Sequence, residues 1–374
     1  MKSRIFLPVI AAALLATNSN ANAQSTLKDA FKDKFLIGAA VNQSQFTGQD
    51  ARGVPIIKAQ FNSITPENVL KWALIHPEPD RYDFTPADRY VEFGEQNGMA
   101  IIGHTLVWHS QTPRWVFQDA DGKPLEREAL LARMSNHIHT VVGRYKGRIK
   151  GWDVVNEALQ DSGTMRQSQW FKIIGEDFIA KAFEYAHAAD PGAELYYNDY
   201  SLEIESKRKG CIELVKKLQA QGIKIAGIGT QHHDKMATPS IEQVEKTLVE
   251  FSELGVKVMI TELDVDVVIA TQRNTSADVA DVARATGGAN TYSNSLPEIV
   301  QQQLAKRYAD LFAVFNKHAD KIGRVTFWGV TDGDSWLNRP GRANYPLLFD
   351  RQGKPKPAFD AVINVAGAKT DLSP

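Results

Sequence analysis

The sequence predicts a single (β/α)8 barrel of the TIM type, an α/β fold with its active site at the C-terminal ends of the strands. Eight short β-like runs alternate with amphipathic helical patterns from Thr26 onward. No Ser/Pro/Gly linker, charge block or repeat of roughly 20 to 50 residues divides the chain. Polar and aromatic residues crowd the C-terminal ends of the runs, and the N-terminal ends show no such enrichment. A doubly wound open sheet would share the alternation, but no Gly-x-Gly-x-x-Gly turn follows the first run. The 374 residues, 43% apolar and 23% charged, suffice for one large domain with a sizeable core.

The first element reads as an address. Lys2 and Arg4 precede the apolar residues 5–16, polar residues 17–20 follow, and Ala21-Asn22-Ala23 offers a cleavage site. This is the pattern of a secretory signal covering residues 1–23, which leaves 24–374 as the catalytic barrel domain and implies a secreted or periplasmic protein. The apolar run is too short for the ~30 Å of a hydrocarbon core, and no later run is long enough, so no membrane anchor is expected.

The strands are predicted at 35–41, 63–66, 100–107, 149–156, 194–198, 225–231, 256–262 and 324–330. The helices between them have legible ends. Thr85-Pro86 offers an N-cap followed by proline, Ser240 and Ser295 begin apparent capping boxes, and Gly98, Gly222 and Gly255 fit helix stops. Removing residues 1–23 leaves 41 basic against 44 acidic residues, a balance that argues against nucleic acid as the partner and suits a neutral substrate. The one cysteine, Cys211, rules out an internal disulfide, and its apolar helical setting reads as a buried filler.

Glu157 closes the fourth strand and Glu262 the seventh, so both carboxyls point to the barrel mouth. Trp72, Trp108, Trp115, Trp328 and Trp336 lie in or beside strand-end segments, where indole faces could stack on the C–H patches of sugar rings. Two carboxyls among tryptophans are the equipment of glycoside hydrolysis: one protonates the leaving oxygen and the other attacks or stabilises the anomeric carbon.

The strand-end motifs resemble those of a known family. Thr65-Pro66-Glu67-Asn68 with Lys71-Trp72, the run from Gly103 through His104 and Trp108 to His109, Trp152-Asp153-Val154-Val155-Asn156-Glu157, Tyr197-Asn198-Asp199-Tyr200, Gly229-Thr230-Gln231-His232-His233, Thr261-Glu262-Leu263-Asp264 and Trp328-Gly329-Val330-Thr331-Asp332 are similar, in order, to motifs of family-10 glycoside hydrolases, the endo-β-1,4-xylanases. The resemblance implies that Glu157 is the acid/base and Glu262 the nucleophile of a retaining mechanism on xylan or xylo-oligosaccharides, with the Glu157 proton held by the charge of Glu262 and by apolar surroundings. It implies that Asn156 binds the 2-hydroxyl, that His233 and Asp264 orient the nucleophile, and that Gln231 contacts the same sugar. Glu67, Asn68, Lys71, His104, Trp108, Trp328 and Trp336 match glycone-side groups, and Tyr200 matches an aglycone-side platform. The His104-Thr105 peptide is expected to be cis. The protein is expected to act as a monomer with no cofactor and no metal.

Asn156 and Glu157 can both reach the site only at a bulge or at the strand end, because adjacent strand residues face opposite ways. His137 and His139 lie in a helical pattern, ~200° apart, and cannot share an ion. His232 and His233 face opposite sides of a strand, and Asp332-Gly333-Asp334 reads as turn chemistry rather than a calcium loop. About 30 residues, 265–294, follow the seventh strand, longer than an ordinary βα loop; they are either a tolerated insertion or a wall of the aglycone side. The same machinery could instead act on β-1,4-glucan or aryl glycosides. A non-catalytic carbohydrate-binding barrel is disfavoured because both carboxyls are present.

Overall fold

The computed structural model describes residues 25–268, 292–293 and 295–367. The expected address segment and most of the long stretch after the seventh barrel strand lie outside them.

Strands β1 (Leu36–Val41), β2 (Ser63–Pro66), β3 (Ala100–Trp108), β4 (Gly151–Asn156), β5 (Glu194–Asp199), β6 (Gly227–Thr230), β8 (Lys257–Asp266) and β9 (Ile322–Phe327) pair in parallel. Pairing of β6 with β8 closes the ring, so this is an eight-stranded parallel barrel with helices between its strands, as the sequence predicts. Almost every strand residue is buried, because one face looks into the barrel and the other is covered by helices.

The predicted sixth strand, 225–231, is found at Gly227–Thr230, and the pairing breaks just beyond it. β6 stops at Thr230, His232 adopts a left-handed backbone with φ 60°, and a short strand β7 (His233–Lys235) resumes pairing against Asp264–Asp266 of β8. This break decides where His233 points.

The capping box at Ser240 is present, and Gly98, Gly222 and Gly255 follow their helices with φ 61°, 77° and 73°. The box expected at Ser295 is not formed. Pro297 is the N-cap of helix Glu298–Lys317, with no side-chain cap, and Phe84 rather than Thr85 caps helix Thr85–Gln96. Cys211 is buried, and burial pushes its thiol well up. Within Asp332-Gly333-Asp334, Asp332 lies 3.0 Å from the Lys356 ammonium and accepts from the Leu347 N–H, while Asp334 accepts from Thr331 Oγ1, so both carboxylates serve the turn.

Trp72 is a core residue, and Trp115 is half-buried and packed against the core. Trp72 is 2% exposed, stacks on His137 at 3.6 Å and packs edge-on against Trp115, whose indole N–H donates to the Pro77 carbonyl. His137 is thereby held on the buried face of helix Arg127–Arg144, with His139 on the exposed one.

Gly103 pairs with Trp152 across β3 and β4, and a methyl group there would run into the buried indole. Gly103→Ala is therefore expected to cost about 1–3 kcal/mol and lower the thermal unfolding midpoint. An unchanged midpoint would show that the indole has room to move.

Candidate active site

At the C-terminal mouth a cleft is lined by Glu67, Asn68, Lys71, His104, Trp108, Asn156, Glu157, Gln231, His233, Glu262, Trp328 and Trp336, together with Gln111 and Arg339. Apart from Trp72 and Trp115, all but one of the residues singled out for substrate contact or catalysis are in these walls. The exception is Tyr200. Its ring is 3% exposed, one face is taken by the Lys207 ammonium 3.4 Å from the centroid, and its hydroxyl accepts from Arg166. A platform needs an open face, which Lys207 removes.

Backbone irregularities bring the polar groups together. The β4–β5 register shifts between Asp153 and Val155, and Glu157 follows the last residue of β4 with φ 58°. Asn156 and Glu157 therefore both reach the cleft, by a bulge and the strand end at once. On β8 a register shift against β9 spans Ile260 to Leu263 and presents Glu262, whose N–H donates to the Gln231 carbonyl. The His104-Thr105 peptide is cis.

The two carboxyls are tied into one network. Glu157 accepts from the Trp108 indole N–H at 2.8 Å and from Gln231 Nε2 at 3.1 Å. Gln231 Nε2 also lies 3.2 Å from Asn156 Oδ1, which accepts from Asn198 Nδ2 at 2.9 Å. The same Asn198 amide donates to Glu262 at 2.9 Å. Asn198, held through its own oxygen by Thr261, thus bridges the two sides of the cleft. In the sequence it stands only within the Tyr197-Asn198-Asp199-Tyr200 motif, with no role assigned, although it lies two residues beyond inward-facing Tyr196 on β5, a spacing that could have marked it. Gln111 and Arg339 lie outside the strands, where no spacing marks them.

Glu262 also meets His233 Nε2 at 3.3 Å, and His233 Nδ1 lies 3.0 Å from Asp264, which accepts from the Trp336 indole at 2.7 Å. Burial alone would lower the His233 pKa, but Asp264 and Glu262 outweigh it and push it up to about 10, so the imidazole is charged at neutral pH. Burial would likewise raise Glu262; donors from His233 and Asn198 and the nearby His104 bring it below the usual carboxylate range.

Glu157 goes the other way, to about 7, chiefly by burial and then by the charge of Asp199, with Glu262 a smaller contributor. Apolar burial and the charge of Glu262 both act in the expected direction, and Asp199 is a larger repulsion that was not expected. The Glu262 charge is balanced by His233, whereas Asp199 acts from β5, itself paired with buried Lys207 at 3.0 Å.

Lys71 is buried, as the motif implied and against the habit of lysine: its ammonium donates to Asn68 Oδ1 at 3.1 Å and lies 5.0 Å from the Trp108 ring centroid. Burial lowers its pKa, and Glu262, Glu67 and Glu157 oppose that. Burial raises Glu67, partly offset by Lys71. His104 Nδ1 meets Asp153 at 3.0 Å, and Arg324 holds the other Asp153 oxygen at 3.3 Å. His232 turns away from His233 and lies 3.2 Å from both Glu203 and Asp234.

The arrangement can deliver a proton from a neutral carboxyl and present an ionised one to the same bound molecule. The family described as "Glycosyl hydrolase family 10" matches residues 26–365. An endo-1,4-beta-xylanase A from Xylanibacter ruminicola is 46% identical over 355 residues, covering 94% of this chain and 96% of its own. A solved GH10 endoxylanase retrieved from a sugarcane soil metagenome superposes with a TM-score of 0.86 at 45% identity, covering 91% of this chain and 99% of that one. A solved intracellular xylanase from Thermoanaerobacterium saccharolyticum superposes with a TM-score of 0.80 at 36% identity, covering 91% and 99%.

The raised Glu157 pKa is also a statement about stability. The folded state holds this proton more tightly than the unfolded chain, so the contribution is favourable below the ordinary value near 4.5 and is lost as pH rises to about 7. Glu157→Gln is thus expected to stabilise the protein at pH 8 but not at pH 4. The shift alone corresponds to about 3 kcal/mol. Because Gln offers Trp108 and Gln231 one acceptor instead of two, a gain on the order of 1 kcal/mol is expected. Denaturant unfolding at both pH values measures it; equal effects at both would contradict the assignment.

Proposed function

Because the chain belongs to glycosyl hydrolase family 10, we propose that it is an endo-1,4-β-xylanase, hydrolysing internal β-1,4-xylosidic bonds of xylan with retention by two displacements. The observation that carries this reading is the opposite state of two carboxyls in one cleft: Glu157 near neutrality in pKa and Glu262 held ionised.

In the first displacement Glu262 attacks the anomeric carbon while Glu157 gives its proton to the leaving oxygen. In the second, Glu157 takes a proton from water, which displaces Glu262. Three supports follow from the contacts. His233, fixed by Asp264, bonds one oxygen of Glu262 and Asn198 the other, so the nucleophile is oriented and charged before substrate arrives. Asn156 has its oxygen occupied by Asn198 and Gln231 while its amide makes only a 3.4 Å contact with Glu157, leaving a donor for the 2-hydroxyl of the reacting sugar. Lys71, Glu67, Asn68, His104 and the Trp108, Trp328 and Trp336 rings supply the polar and apolar wall of the glycone side. Acid and nucleophile come from one barrel, so the reading requires neither a second chain nor a cofactor. Export is part of the proposal and rests on the charged, apolar and Ala-x-Ala pattern of residues 1–23.

Glu262→Ala is expected to abolish turnover of xylan and of aryl xylobiosides alike, since no covalent intermediate can form. Glu157→Ala should collapse xylan cleavage, whose leaving group needs a proton, yet still give a burst of phenol from a dinitrophenyl xylobioside followed by slow deglycosylation. Equal losses on both substrates in Glu157→Ala would refute its role. Reducing-sugar release from carboxymethylcellulose matching that from xylan would move the substrate to β-1,4-glucan. Amino-terminal sequencing of the exported protein should begin at Gln24, and an intact Met1 would sink the export proposal.

A further inference from the structure

The opposite end of the barrel holds a second cavity, of about 530 Å³, bounded by the N-terminal ends of β1, β4, β5, β8 and β9 and sharing no residue with the cleft. Its charge is lopsided. Lys32, Lys34, Lys150, Lys257 and Arg324 face only Asp33 and Glu194. Glu194 is taken by Lys150 at 2.6 Å, while the Lys34 and Lys257 ammoniums bond only the carbonyls of Ala366 and Asp320 among the described residues.

Arg324 is the sharper observation. It is 2% exposed and lines the cavity, and one of its terminal nitrogens meets Asp153. Its Nε and other terminal nitrogen have no hydrogen-bond partner among the described residues. Buried N–H groups of a guanidinium left unmatched are costly, and with one carboxylate against it the Arg324 charge adds to the field of the lysines at the cavity wall. The remaining wall is apolar, made by Phe35, Leu36, Ile102 and Met259, with the Tyr196 ring 4.8 Å from the guanidinium carbon. The volume is that of a small-molecule site.

We propose that this cavity binds a small organic anion, a carboxylate on an apolar body, with the carboxylate toward Lys34 and Lys257 and the body against Phe35, Leu36 and Met259. The site shares no wall with the cleft, although Arg324 reaches Asp153 beneath His104. Isothermal titration of the full protein with benzoate tests it, with inorganic phosphate as the comparison. Saturable one-to-one binding of benzoate, tighter than that of phosphate, is expected, and the double variant Lys34→Glu/Lys257→Glu should weaken it by about tenfold or more. Should that variant fail to fold, Lys32→Ala/Lys257→Ala is expected to weaken binding about threefold. Absence of saturable binding, an unchanged dissociation constant in the variants, or phosphate binding as tightly as benzoate would each overturn the proposal.

Discussion

Two carboxyl groups, only 3% and 5% exposed, share one hydrogen-bonded network, and the barrel keeps one neutral while the other is charged. Most of the site answers to that constraint. A buried carboxylate is unfavourable unless donors and opposite charge surround it. Glu262 has both, from Asn198 and from an imidazole that Asp264 keeps protonated. Glu157 has donors from Trp108 and Gln231, with the His109 ring nitrogen 4.0 Å away, and it faces the field of Asp199. The asymmetry lies in the surroundings of two chemically identical side chains.

The regular barrel could not deliver this network. Strand geometry alternates side chains between interior and helix layer, so neighbours in sequence diverge. The shifts in register on β4 and β8 and the left-handed residues Glu157 and His232 each suspend the alternation at one point. His232 turns to Glu203 and Asp234 under the outer layer, which releases His233 to lie between Glu262 and Asp264. These departures cluster at the C-terminal ends, where the ladder terminates and least hydrogen bonding is sacrificed.

Behind the cleft, buried charges come in matched sets. Arg324 and Asp153 stand under His104, and Lys207 stands against Asp199. Apolar substitutes for such pairs are often as stable or more so. Their placement here serves the cleft: Asp153 orients the His104 ring, and Asp199, paired with Lys207, helps hold the proton on Glu157.

The alternation of strands and helices, the barrel, the Ser240 cap and the glycine stops were legible because each depends on residues within a few positions of one another. The cleft residues were legible because strand ends in a barrel converge on one mouth, so position along the strand already places Glu157 and Glu262. Trp72 shows the limit. It follows Lys71 in a strand-end motif, but its indole stacks on His137 from a helix more than sixty residues away, and nothing local distinguishes that from a cleft wall. Tyr200 has the same history, its face covered by Lys207 from the next helix. The break after Thr230 and the bridging position of Asn198 depend on β8 and β4 lying alongside. The sequence by itself determined the barrel, the two carboxyls and their company at the mouth. Only the tertiary structure decided which aromatic rings face the cleft and which neighbours hold the proton on Glu157, because packing and electrostatic fields are sums over side chains brought together from distant elements.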